Sequence, residues 1–337
     1  MSEVKITPVV IDCDPGSDDA WAIISLLKSE SQYNIKLQGI TLVNGNTSVE
    51  HSSRNSLLIL KTFDRLDVPV FIGAESSLIS KQGFYTNFHG IDGFSDVYTD
   101  KPSPDLVQNK HAVEALKEFI EKVRKLKTNF IFSSNFSKFS QYPNEIVIFA
   151  VGPLTNVALL YKLYPGISSK IKALWIMGGN FQGVGNVTSS AEFNFWNDAE
   201  AAKIVLAESK CPVYIFPWET CLDASKATPL HEWRLKVLSN KGDVTNFMDP
   251  IDTKIRIKGN FIPCDAYTTA CFLVPEMITK MENCHVTVEL AGDHTKGQMI
   301  IDHKGIKEKN AFVIQEIDTE MFKKFLLRIC GHENSDL

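Results

Sequence analysis

The chain has 337 residues, 44% of them hydrophobic and 22% charged, a composition that fits a globular protein and excludes a disordered or fibrous one. Its 40 acids against 35 Lys and Arg give a formal charge of −5. The bases are scattered rather than striped, so a nucleic-acid partner is not expected. MSEVKITPVV leads into an apolar run that soon meets Asp12 and Asp14, which predicts neither a signal peptide nor a membrane span, and no other segment is long and apolar enough for one.

In chain order, PVVIDC (8–13) predicts a strand and DDAWAIISLL a helix with acids in its first turn, joined by a Pro-Gly turn. Strand 35–43, helix 48–63 and strand 68–73 continue the alternation, which implies a parallel sheet with helices on its faces. Residues 74–110 lose periodicity and read as a long loop, a length usually tied to function or disorder. A helix at 111–127, a strand at 145–151, a helix opened by Gly152 and Pro153, and a strand at 171–177 come next. A glycine-rich loop then precedes a helix capped by Asp198, a strand at 212–217, and helices through much of 229–281. HVTVEL, GQMIID and NAFVIQ, separated by turns, predict an antiparallel hairpin region before a last helix at 318–330. The expectation is a single domain over 1–337: an open, mostly parallel, Rossmann-like α/β sheet flanked by helices.

Seven cysteines without a C-x-x-C pair predict free thiols, and with them a reducing, cytoplasmic setting. Sequons at Asn46, Asn135 and Asn186 carry little weight without a signal sequence.

The densest chemistry lies in IDCDPGSDD, where Asp12, Asp14, Asp18 and Asp19 fall within eight residues at the C-terminal end of the first strand, the edge where open α/β sheets bind ligands. Asp12 and Asp14 share one face of an extended chain, and Pro15-Gly16 turns Asp18 and Asp19 back toward them. Four like charges so close call for a cation. Oxygen ligands without zinc-like His or Cys spacing favour calcium or magnesium. The bland alternative is a helix cap beside a solvated turn.

VVIDCDPGSDDAWAI resembles the signature of the inosine-uridine preferring nucleoside hydrolase family. Further blocks follow in that family's order: GITLVNGN (39–46), HGIDG (89–93), VGPLTN (151–156), the stretch 177–202 and PCDAYTTA (263–270). The resemblance implies calcium held by Asp14, Asp19, Asp265 and the backbone carbonyl of Thr155, with Asp14 also the general base. It implies ribose hydroxyls held by Asp18, Asn186, Glu192 and Asn194, with Asp265 also beside the substrate, Asn46 near the attacking water and Met177 beneath the sugar. The implied partner is a small ribonucleoside and the implied assembly a homodimer or homotetramer. Nucleotides are disfavoured because a phosphate would meet this acidic site.

Where well-known members of the family carry His or Trp to assist the departing base, this chain has Cys264. A thiol is a weak donor, so Cys264 reads either as a buried apolar residue or as a leaving-group aid. His89 is either a site residue or a solvated loop histidine. Phe84, Tyr85, Phe88, Trp196 and Trp218 are candidates for stacking on a base, with core packing the alternative for each. A phosphatase of the haloacid-dehalogenase type also begins with Asp-x-Asp after its first strand, but it needs a downstream Lys and an acidic pair for its magnesium; Asp18-Asp19 is the only Asp-Asp pair here, and Pro15 follows the second Asp where that class differs. A relative that binds calcium or a nucleoside without turnover is the other rival.

Overall fold

The computed structural model describes residues 5–79, 88–131, 145–227, 229–257 and 261–332. The first part of the chain contains β1 (Thr7–Cys13), α1 (Ser17–Ser29), β2 (Ile35–Leu42), α2 (Val49–Thr62), β3 (Val70–Ile72), α3 (Ala112–Ile131), β4 (Val147–Ala150) and α4 (Thr155–Leu163). Then come β5 (Ala173–Met177), α5 (Phe193–Asn197), α6 (Ala199–Glu208), β6 (Val213–Phe216), α7 (Trp218–Ala227), α8 (Leu230–Trp233), α9 (Asp243–Ile257) and α10 (Cys264–Leu273). The chain closes with β7 (Ile278–Cys284), β8 (Val286–Val288), β9 (Met299–Ile301), β10 (Ala311–Ile317) and α11 (Thr319–Ile329). Between β3 and α3 the described residues hold a single 3-10 turn, Pro104–Leu106, in keeping with their lack of periodicity.

The strand period of two sorts side chains to the two faces of the sheet. Val9, Ile11 and Cys13 of β1, with Val147 and Phe149 of β4, pack toward α1, α10 and α11. Val10, Ile148 and Ala150 pack toward α3, α4 and α6. Helix α1 is buried on nearly every side, Trp21 completely, and burial of such a side chain stabilises the fold by roughly 1.5–3 kcal/mol. Asp198 caps α6 through Ala201 N, as its position before AEAAKIVLAE predicts.

The main sheet has the order β3-β2-β1-β4-β5-β6-β10-β7. All neighbours run parallel except β7, which lies antiparallel to β10 at the edge. The order reverses between β1 and β4, where Asp12 pairs with Ala150. Connections leave such a point in opposite directions and open a crevice at the carboxyl ends of the strands. The acidic turn after β1 and the VGPLTN loop after β4 meet there.

Two sequence expectations are corrected at the C-terminal end. Residues 278–284, expected to be helical to 281, form β7; five consecutive positions of this edge strand are exposed, so no buried alternation marks it. NAFVIQ belongs not to the hairpin but to the main sheet, where Phe312 pairs in parallel with Tyr214. The expected hairpin is the β8–β9 pair.

Candidate active site

The acidic turn is held by its own carboxylates. Asp19, in the first turn of α1, accepts from Asp14 N at 3.2 Å through Oδ1 and from Gly16 N at 2.9 Å through Oδ2. The same Oδ2 accepts from Asn46 Nδ2 at 3.1 Å, and Asn46 N donates to Asp14 Oδ2 at 2.6 Å. The Asp14 carboxylate is walled by two glycines from the neighbouring loops. A Cβ at Gly45 would collide with its Oδ2, and one at Gly152 would come within 2.6 Å of its Oδ1. That is the physical reason for glycine in both NGN and VGPLTN.

Asp12 behaves differently from the shared-face expectation. Strand β1 ends at Cys13, so Asp14 escapes the strand's alternation. Asp12 Oδ1 instead accepts from Thr41 Oγ1 at 2.6 Å and Asn156 Nδ2 at 2.8 Å, beneath the site.

Above the turn lies a cavity of about 360 Å³, within the size range of small-molecule sites. Asp18, Asn46, Asn186, Glu192, Asn194 and Asp265 are among its polar lining, and Trp21, Met177, Trp218, Phe261 and Ile262 are among its apolar walls. Glu192 is the N-cap of α5, and its two oxygens accept from Gly179 N (2.8 Å), Asn194 N (2.7 Å) and Phe195 N (3.1 Å). Asn194 donates its amide to Val151 O (2.8 Å) and Met177 O (3.2 Å), tying the ends of β4 and β5 together and leaving Oδ1 as its acceptor.

His89 is buried at the cavity edge. Its Nδ1 accepts from Ser17 N at 3.3 Å and lies 2.9 Å from Ser17 Oγ. The ring proton therefore sits on Nε2, 3.6 Å from Asp18 Oδ1. Cys264 opens α10 at the cavity wall, with its thiol hydrogen-bonded to that of Cys221 on α7.

Electrostatics make this assembly costly without a counter-ion. Burial, and then the charge of Asp19, pushes the Asp14 carboxyl well above the usual carboxylate range; burial, and then Asp18, does the same to Asp265 and raises Asp19. Burial raises Asp12 and Glu192 to about 7 despite their hydrogen bonds. Among the described residues no Lys or Arg pairs with Asp14, Asp18, Asp19 or Asp265. Oxygens of Asp18, Asp19 and Asp265 lie within 4.8 Å of one another. An oxygen-only donor set of this charge fits a hard divalent cation.

The fold thus brings most of the expected residues to one place. Asn46, His89, Cys264, Asp18, Met177, Asn186, Glu192, Asn194 and Asp265 line the cavity. Asp14, Asp19 and Thr155 are buried and do not line it. Thr155 opens α4 and donates its hydroxyl to Asp198 Oδ2 at 2.6 Å. The closest acidic trio includes Asp18, which the sequence reading gave to the ribose rather than the metal. Phe88 and Trp218 line the cavity and Trp196 does not; Phe84 and Tyr85 lie outside the described residues.

Sequence reasoning missed Trp21, Asp252 and Phe261. Asp252 Oδ2 accepts from Trp21 Nε1 (3.2 Å) and from Arg234 Nε (3.0 Å) and Nη2 (2.8 Å). This buried network braces the cavity wall to which Trp21, Asp252 and Phe261 belong, and no local signal in the sequence marks it.

The comparisons with known proteins agree with one another. A family model described as inosine-uridine preferring nucleoside hydrolase matches residues 9–324. Pyrimidine-specific ribonucleoside hydrolase RihA of Shigella flexneri is 32% identical, over 95% of this chain and 96% of its own. Among solved structures, an inosine-guanosine nucleoside hydrolase superposes with a TM-score of 0.82 at 28% identity, covering 96% of this chain and 98% of the other. The purine-preferring ribonucleoside hydrolase from Gardnerella vaginalis shares the fold, with a TM-score of 0.76 at 24% identity over 97% of this chain and 99% of its own. The chain belongs to the inosine-uridine preferring nucleoside hydrolase family.

Proposed function

We propose that the acidic turn and the polar cradle above it form one calcium-dependent site, in a single domain, that hydrolyses the N-glycosidic bond of ribonucleosides to ribose and free base. Family membership makes the protein a hydrolase of N-glycosyl bonds. The observation that carries the finer reading is that Asp18 and Asp265 share one cavity with Glu192 and Asn194, with Asp19 within 4.8 Å of both acids and Asp14 buried beside it.

Asp14, Asp19, Asp265 and the Thr155 carbonyl would hold the calcium, which when bound supplies the Lewis acidity that eases deprotonation of water. Asp14 accepts the proton of the attacking water as general base. Asn46, bonded to both Asp14 and Asp19, orients the water. Asp18, Asn186, Glu192 and Asn194 hold the ribose hydroxyls, with Asp265 beside them and Met177 beneath the ring. The carboxylates stabilise the positive charge of an oxocarbenium-like transition state. Burial, and then the bond that its S–H donates to Cys221, keep the Cys264 thiol protonated at neutral pH; to serve the departing base that proton turns from Cys221 into the cavity. The Nε2 proton of His89 is the alternative donor.

The names of the relatives differ in base, pyrimidine for one and inosine-guanosine for another, so the proposal is for ribonucleosides as a class. Seven free, buried thiols support a reducing, cytoplasmic setting. No helix among the described residues is long and apolar enough to cross a membrane. A homodimer or homotetramer is the proposed assembly. The test is incubation with inosine, uridine and a nitrophenyl riboside in calcium. Reducing sugar should appear from at least one natural nucleoside, and a folded protein that releases none from any of them would refute the proposal.

A further inference from the structure

The segment between β5 and α5, residues 178–192, carries Asn186 to the cavity without regular structure of its own. Such a segment holds one shape only if its backbone polar groups find partners. Three of its amides find the same side chain. Glu219, in the first turn of α7 and only 3% exposed, accepts from Phe181 N at 2.9 Å through Oε2. Its Oε1 accepts from Gln182 N at 2.8 Å and Val184 N at 3.0 Å. The preceding residue, Trp218, donates its backbone N–H to Gly179 O at 2.9 Å and lines the cavity. Asn180 braces the segment from within, donating to Ser190 O at 2.7 Å and accepting from Met299 N at 3.0 Å.

Asn186 itself is exposed, and its side chain makes no hydrogen bond among the described residues. Its place over the cavity is therefore set by the loop backbone. Glu219 does not line the cavity, so it does not act by touching substrate.

We propose that Glu219 is a positioning residue for substrate binding: its carboxylate fastens the amides of residues 181, 182 and 184 and so holds Asn186 over the cavity. The inference rests on the reading of Asn186 as a substrate contact. A carboxylate is required because only an acceptor-only group serves donors at both oxygens. In Glu219→Gln one oxygen becomes an NH₂ group facing N–H donors, and at least one of the three amides loses its acceptor.

The test is a double-mutant cycle of E219Q and N186A in calcium-loaded protein, with steady-state hydrolysis of inosine and uridine as the readout. Each single variant should raise KM by roughly tenfold, the scale of one hydrogen bond to a hydroxyl, while kcat stays within about threefold. The double variant should raise KM no further than N186A alone, the signature of two residues acting through one contact. An unchanged KM in E219Q while N186A raises it, or effects that multiply, overturns the inference and leaves the Asn186 reading standing. An unchanged KM in N186A overturns both. Should E219Q not fold, Glu219→Asp, whose shorter carboxylate reaches fewer of the amides, enters the same cycle with the same expected and overturning results.

Discussion

Removal of divalent ions should make the protein's stability fall as pH rises, and calcium should reverse that trend. Asp12 and Glu192 are fully buried, and burial lifts them from 3.8 and 4.5 to about 7. Below about pH 4 the folded and unfolded chains both hold these protons, and the stability contributed by the neutral buried acids is present in full. As pH climbs toward 7 the unfolded chain releases its protons first, which favours unfolding until the folded carboxyls ionise as well. Each such group has a slope of about 1.4 kcal/mol per pH unit, so the pair removes roughly 4 kcal/mol between pH 5 and pH 7. Asp14, Asp19 and Asp265 are shifted in the same direction, and a cation bound among them must displace their protons. Its stabilisation should therefore grow by about 1.4 kcal/mol per pH unit for each proton displaced. Thermal unfolding followed by circular dichroism, with EGTA or with calcium at pH 5, 6 and 7, reads this difference directly. The calcium-induced rise in Tm should be larger at pH 7 than at pH 5 by an amount on the order of 5 °C. A calcium effect that is absent, or equal at both pH values, would mean that the fold already compensates these carboxylates, and the cation reading would fail.

Replacing Asp14 with Ala should lower turnover beyond the roughly 10²–10⁴-fold typical of losing a general base, and weaken calcium binding measured by titration calorimetry; a near-native rate would transfer the base to another carboxylate. Removing the substrate's 2′-hydroxyl should reduce kcat/KM far more than exchanging the base, because buried Glu192 or Asn194 would lose a partner; equal efficiency on 2′-deoxynucleosides would refute the ribose cradle. Cys264→Ala should slow hydrolysis of inosine and uridine yet barely affect a nitrophenyl riboside, whose leaving group needs no proton. Parallel loss on both substrates, with calcium affinity intact, would reduce Cys264 to packing and favour His89 as donor.

Much of this was legible because local patterns coincide with the fold. The continuous apolar strands and the Asp-Pro-Gly turn specify β1, α1 and the edge they share, and the strand-helix alternation predicts the parallel sheet. Long-range pairing was not legible. NAFVIQ is apolar enough for a hairpin or a central strand, and only its pairing with Tyr214 and Val213's strand decides between them. Strand β7 carries ITKMENC with its side chains largely in solvent, so no core-facing period betrays it.

In the site, the residues clustered in sequence were the readable ones. Glu192 stands out within its motif, but its capping role does not, since Glu is an uncommon N-cap. Glu219 and Asp252 reach the site's supporting structure from helices whose sequences carry no ligand signature. Their roles arise only when α7 meets the glycine-rich loop and α9 meets Trp21.

The most direct test of the central claim follows the fate of the ribose. Proton NMR of uridine or inosine incubated with the calcium-loaded protein, with and without inorganic phosphate, identifies the sugar product. The account predicts free ribose and free base in both cases, no reaction after exhaustive chelation, and recovery on return of calcium. Ribose 1-phosphate as the product, or undiminished turnover in a verified metal-free preparation, would contradict it.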